Sequence, residues 1–139
     1  MPNNKKVVLI SCVRHKLGIK ARAQDLYISD LFKKSLQYAK HINPDFIFIL
    51  SAKYGLVRLE DEIEPYDKTL NNMPLQQRKE WSHRVLEELK KFIDIENDEV
   101  TILAGLKYYQ YLHPYIKNCR IPMEHLPIGK QLKFLDDLP

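Results

Sequence analysis

The chain has 139 residues, a formal net charge of +4 and a hydrophobic fraction of 45%, with a pI of about 9.0. These figures describe one globular domain long enough to bury its own core. They exclude a helical membrane span, because the longest apolar runs, such as residues 46–50, are far too short to cross a bilayer. They also exclude a disulfide framework, because two cysteines, Cys12 and Cys119, cannot staple a fold and are expected as free thiols.

Residues 1–6 are polar and lead straight into an apolar run. That is not the pattern of a signal peptide, and the expected location is the cytosol. The first strand is expected over 6–11, "KVVLIS". A helix follows over 25–41, with Asp25 as a candidate N-cap and Leu26, Phe32, Leu36 and Ala39 on one face. The second strand covers 45–51, "DFIFILS". An irregular stretch over 52–73 is next, long enough in a small domain to suggest function and too apolar for disorder. A helix over 74–93 opens on a proline and carries Trp81, Val85, Leu89 and Phe92 at helical spacing. The third strand, 99–105, ends on Gly105. A tyrosine-rich helix over 107–117 follows, then a weak edge strand over 119–126 interrupted by Pro122, and a final helix over 128–137. The strands are continuous apolar runs with no alternation, so both faces are buried. The fold class is therefore α/β: a single three-layer domain over 1–139, with a mainly parallel sheet of about four strands and flanking helices.

In such a sheet ligands bind outside the carboxyl ends of the strands. The three strand ends read "SCVRHK", "SAKYGL" and "AGLKYY". Each puts small residues before polar or aromatic ones, and this converges Ser11, Cys12, Ser51, Lys53, Tyr54, Gly55 and Gly105 on one edge. Cys12 is a candidate nucleophile beside Arg14, His15 and Lys16, or a small buried residue. A phosphatase-type loop is rejected, because Gly18 stands where its arginine belongs. Lys53 suits a phosphate or carboxylate, or is a plain surface lysine. Gly55 permits a positive φ or a close backbone approach. In "EPYDKTL" Pro65 stiffens the backbone before Tyr66 and Asp67. Asp67 reads either as a general acid/base or sugar-binding carboxylate, or as an Asx-turn former. Arg22 can face an anion at a helix start, and Gln131 is a candidate amide reader in "IGKQL". The five histidines show no i, i+4 pairing with another ligand type, so no metal or other cofactor is expected. The basic cluster of Arg14, Lys16, Lys20 and Arg22, with Lys5 and Lys6, serves solubility or an anionic partner.

The order "ISC", "ARAQDLYIS", "ILSAKYGLV", "EPYDKTL", "LAG", "IGKQLKFL" resembles a family of small bacterial and phage proteins of unknown function. That family carries Ser-Ala-Lys-Tyr/His-Gly-Leu and Pro-Tyr-Asp-x-Thr-Leu signatures, and the resemblance covers nearly the whole chain. Pro127 stands where relatives often have a glycine before the amide residue. A more remote likeness links the strand-end pattern to uracil-DNA-glycosylase-like domains of tRNA deazaguanine-modification enzymes, which implies nucleobase or nucleotide chemistry.

The leading expectation is an enzyme-like domain acting on a nucleotide, nucleobase or nucleic-acid-derived substrate, with glycosidase- or glycosyltransferase-like chemistry as the specific form. Asp67 and Lys53 are its catalytic candidates, and Tyr54 and Tyr66 its aromatic walls. Ser11, Cys12 and Ser51 form the floor, and Arg22, Gly55, Gly105 and Gln131 are further ligand contacts. The competing expectation is a non-catalytic module binding nucleotide or nucleic acid at the same edge. The partner is then a small anionic or nucleotide-like ligand, or nucleic acid, and no membrane; oligomeric state is left open.

Overall fold

The computed structural model describes residues 4–11, 18–26, 29–66 and 68–137, with Ile128 described by its backbone alone. The elements are β1 (Lys6–Ser11), β2 (Ala21–Arg22), α1 (Ala23–Leu26), α2 (Asp30–Ile42), β3 (Phe46–Ser51), β4 (Gly55–Arg58), β5 (Glu62–Ile63), α3 (Leu75–Leu89), β6 (Glu99–Leu103), α4 (Leu106–Tyr109), β7 (Asn118–Arg120) and α5 (Ile128–Asp136). Short 3-10 turns occupy Leu70–Asn72 and His113–Tyr115.

The main sheet has the order β4-β3-β1-β6-β7. β1 runs parallel to both β3 and β6, with Leu9 opposite Phe48 on one side and Ile102 on the other. β7 adds in parallel to β6, and β4 adds in antiparallel to β3. The continuous apolar runs explain the parallel centre. Val7, Val8, Leu9 and Ile10 are all essentially inaccessible, which requires cover on both faces. That cover comes in pairs. Tyr38 of α2 meets Phe134 of α5 edge-on at 6.2 Å, and Lys34 pairs with Asp136. Trp81 of α3 meets Tyr108 of α4 at 5.7 Å. The chain leaves β1 toward β3 and later passes back to β6 on the other side. Right-handed crossovers then place α2 and α3 on opposite faces. The α/β class and mainly parallel sheet stand as expected.

Several boundaries differ from the sequence expectation. The sheet has five strands, not about four. The fifth, β4, lies inside the stretch read as irregular, as do β5 and the turn Leu70–Asn72. The helix expected over 25–41 is two helices. Ser29 caps α2, its hydroxyl accepting from the Phe32 N–H at 3.2 Å, so Asp25 is not the N-cap of the long helix. α2 ends on Asn43 at φ 56°, a left-handed cap followed by Pro44. The helix expected over 107–117 stops at Tyr109. Beyond it Pro114 lacks the N–H that a continued helix would use, and only the turn His113–Tyr115 forms. The edge strand ends at Arg120, two residues before Pro122.

α3 runs antiparallel to β3. Its Trp81 donates the indole N–H to the Ser51 carbonyl at 2.9 Å, at the end of the strand. Phe92, just past the helix, packs on Phe46 and Phe48 at its start, with centroids 6.0 and 5.0 Å away. At that opposite edge the buried Asp98 carboxylate accepts the backbone N–H groups of Lys5 at 2.9 Å and Asp94 at 2.7 Å. This ties the entrances of β1 and β6 together. No helix among the described residues is long and apolar enough to cross a membrane.

Candidate functional site at the carboxyl edge of the sheet

Parallel pairing puts Ser11, Ser51 and the Ala104–Gly105 step at one edge, as expected. Because the chain departs from β1 in opposite directions, β1 and β6 flank the topological switch point, where open α/β sheets hold ligands. Ser11 is buried there, and Gly105 is exposed, with open space where a Cβ would stand.

The "SAKYGL" segment is a hairpin corner. Ser51 of β3 pairs across to Gly55 of β4, and Gly55 turns the chain at φ +77°. A Cβ there would lie 2.8 Å from Glu88 Oε1 and 3.2 Å from Arg84 Nη2. Arg84 is itself engaged, donating to the Tyr54 carbonyl at 2.8 Å and to Glu88 at 3.1 Å. The positive φ and the close approach anticipated for this glycine are thus both present, and the near neighbours are protein side chains.

Ser51 is the hub of the corner. Its buried hydroxyl accepts the Tyr54 N–H at 3.0 Å and donates to the Tyr66 hydroxyl at 2.8 Å, while its carbonyl takes the Trp81 indole N–H. Tyr54 and Tyr66 stand edge to face at 5.5 Å. The exposed Lys53 ammonium lies 5.2 Å from the Tyr54 ring centroid, a cation–π distance. A hydroxyl, two half-buried phenol rings and an ammonium therefore share one corner. Their first effect is architectural: the serine satisfies a turn N–H that would otherwise be orphaned.

The other candidates fall elsewhere or outside the described residues. Cys12 and Asp67 are outside them. Arg22 forms an exposed ion pair with Asp25 at 3.0 Å, within a small ribbon where β2 pairs antiparallel with β5. Gln131 is buried and donates its amide to the Leu126 carbonyl at 2.7 Å, bracing the turn before α5.

Sequence reading missed the contribution of α3. Arg78 sits one turn before Trp81, above the end of the sheet. It donates Nη1–H to Gln110 Oε1 at 3.2 Å, and its guanidinium carbon lies 5.8 Å from the Tyr111 ring. Lys79 reaches the same ring at 5.4 Å, and Lys107 donates to the Asn71 carbonyl at 3.1 Å. The signal was present in the helical spacing of residues 78, 81, 82 and 85, which puts an arginine and a serine on the apolar face. Away from this corner, burial and then the Glu124 charge push the Cys119 thiol up to about 11. The same two causes, in the same order, raise the Tyr109 phenol.

The fold and this edge define a small α/β domain with a hydroxyl, aromatic and cationic corner at the carboxyl ends of its strands. The chain belongs to a family of unknown function (DUF6884), matched over residues 7–137. No curated protein and no solved structure matches it.

Proposed function

We propose that the carboxyl edge of the sheet binds a small anionic ligand of the nucleotide or nucleobase class, and that Asp67 and Lys53 act on it. The observation that carries this reading is the corner itself. Tyr54 and Tyr66 are held at 5.5 Å by the shared Ser51 hydroxyl, with the Lys53 ammonium over one ring. Fixed aromatic rings offer a base a stacking surface, and an exposed ammonium beside them suits an anionic group. The remote likeness to uracil-DNA-glycosylase-like domains supports the same chemistry. In its catalytic form the reaction is hydrolysis of an N-glycosidic bond. Asp67 takes a proton from water as the water oxygen bonds to the anomeric carbon; the carbon–nitrogen bond breaks, and that proton passes to the departing base.

Calorimetric titration with nucleosides and nucleoside 5′-monophosphates tests the reading. The site role predicts that Lys53→Ala and Asp67→Asn weaken binding about tenfold or more while the melting temperature stays within a few degrees. Two variants that both melt early and bind with unchanged affinity per folded molecule would reduce the corner to scaffolding. A non-catalytic module for nucleic acid is favoured by one further observation, the cations Arg78, Lys79 and Lys107 at the same end of the molecule. It predicts a steep fall of affinity with salt, whereas a small-molecule pocket gives a shallow one.

A further inference from the structure

We infer that Arg78, with Ser82 one turn below it, is an oxyanion-holding site at this edge, fitted to the phosphate of a phosphomonoester. A guanidinium carries five N–H donors. Among the described residues that of Arg78 has one acceptor, the neutral Gln110 amide oxygen at the long distance of 3.2 Å. Its Nε is buried with no hydrogen-bond partner. The Ser82 hydroxyl is buried in the same state, on a side chain only 1% exposed. Residues four apart on a helix lie above one another on the same face, so two orphaned polar groups are stacked on the inner side of α3.

Such groups are costly. A buried polar atom without a partner forfeits hydration with no return, and a half-buried charge without a counter-ion forfeits more. Among the described residues neither Arg78, Lys79 nor Lys107 forms an ion pair, although the neighbouring Arg84 and Lys90 both do. The position is also specific. Trp81 contacts the last residue of β3, so Arg78, three residues nearer the start of α3, stands about 4.5 Å further along the helix axis, past the strand ends. There Gln110 and Tyr111, from the segment that follows β6, meet it. The site therefore lies between the start of α3 and the segment that follows α4. The Tyr111 ring lies 5.8 Å from the guanidinium carbon, a cation–π distance, and a guanidinium with donors to spare suits a bidentate oxyanion. Gln110 Oε1 holds the place that one oxygen of the anion takes. The proposal rests on the reading of this edge as a ligand site and names the residue that holds the ligand's charge.

The test uses the full chain and three probes, inorganic phosphate, a nucleoside 5′-monophosphate and the matching nucleoside, titrated into the wild type, Arg78→Met, Arg78→Lys and Ser82→Ala. The wild type binds the two phosphate-bearing probes. Arg78→Met loses them by about ten- to a hundredfold, the range of a charge-assisted bidentate contact. Arg78→Lys recovers only part of the loss, because a point charge replaces the fork, and Ser82→Ala weakens binding by a smaller factor. Without ligand, Arg78→Met shifts the melting temperature by only a few degrees, since it removes an orphaned Nε together with the Gln110 bond and the Tyr111 contact. Phosphate bound through Arg78 with no binding of the nucleoside upholds this site and overturns the nucleobase reading. Phosphate affinity equal in the wild type and Arg78→Met, or no binding of phosphate or monophosphate to the wild type, overturns the site.

Discussion

At the scale of single residues, Gly55 and Ser51 decide whether the carboxyl-edge corner forms. Gly55→Ala imposes a Cβ at φ +77° and 2.8 Å from Glu88 Oε1. Left-handed strain and the contact together cost about 1–3 kcal/mol, measured as a lowered denaturation midpoint. Adding Glu88→Ala to that variant relieves the contact but not the strain, so only part of the loss returns. Ser51→Ala strips partners from the Tyr54 N–H and the Tyr66 hydroxyl, again about 1–3 kcal/mol. Cys119 supplies a pH test. Its thiol is pushed from 9.0 to about 11 by burial first and the Glu124 charge second. In a Cys12→Ser background a thiol reagent at pH 8 therefore reacts far more slowly with the folded than with the unfolded chain, by roughly a hundredfold in thiolate fraction. The folded state keeps this proton more tightly than the unfolded state. Stability from this group is therefore level below pH 9 and falls as pH rises from 9.0 to about 11.

At the scale of elements, α2 is defined by its caps. Ser29 supplies the acceptor for the Phe32 N–H, and Asn43 in the left-handed region closes the other end before Pro44. Ser29→Ala costs about 1 kcal/mol, a fall of a few degrees in melting temperature, with the helix itself retained because Phe32, Ser35 and Ala39 stay buried against the sheet. The β3–β4 hairpin shows the converse. Its strand β4 is short, and its sequence "GLVR" reads as loop. What holds it is the ladder to β3 together with Arg84, which reaches across from α3 to the Tyr54 carbonyl. Proline and glycine placement in "KYGLV" and "IPMEHLP" carries local information, but the partner of a four-residue strand lies in the tertiary structure.

At the scale of the molecule, stability is uneven across the sheet. β1, β3 and β6 are buried on both faces, whereas β7 has three residues and exposed ends, and β2–β5 is a two-residue ribbon. Hydrogen exchange is therefore expected to be slowest at Leu9, Ile49 and Ile102, and much faster at Cys119 and Ile63. Equal protection of Cys119 and Leu9 would contradict a strand hierarchy set by burial.

The sequence by itself determined the class of fold and which strand ends share an edge. Continuous apolar runs at 6–11, 45–51 and 99–105 point to a sheet covered on both faces, and the helical patterns between them point to parallel pairing. Ser11, Ser51 and Gly105 then have to meet at one end. The tertiary structure decided what each polar residue at that end does. Ser51 uses its hydroxyl in a turn, and away from that end Gln131 donates to the Leu126 carbonyl and Arg22 pairs with Asp25, all through hydrogen-bond and ion-pair geometry that no local pattern encodes. Arg78 escaped the sequence reading for the same reason. On a helix an arginine looks like a solvated charge until the packing of α3 against α4 leaves its Nε buried without a partner. Burial makes one arginine a surface charge and another a site, and burial belongs to the fold as a whole.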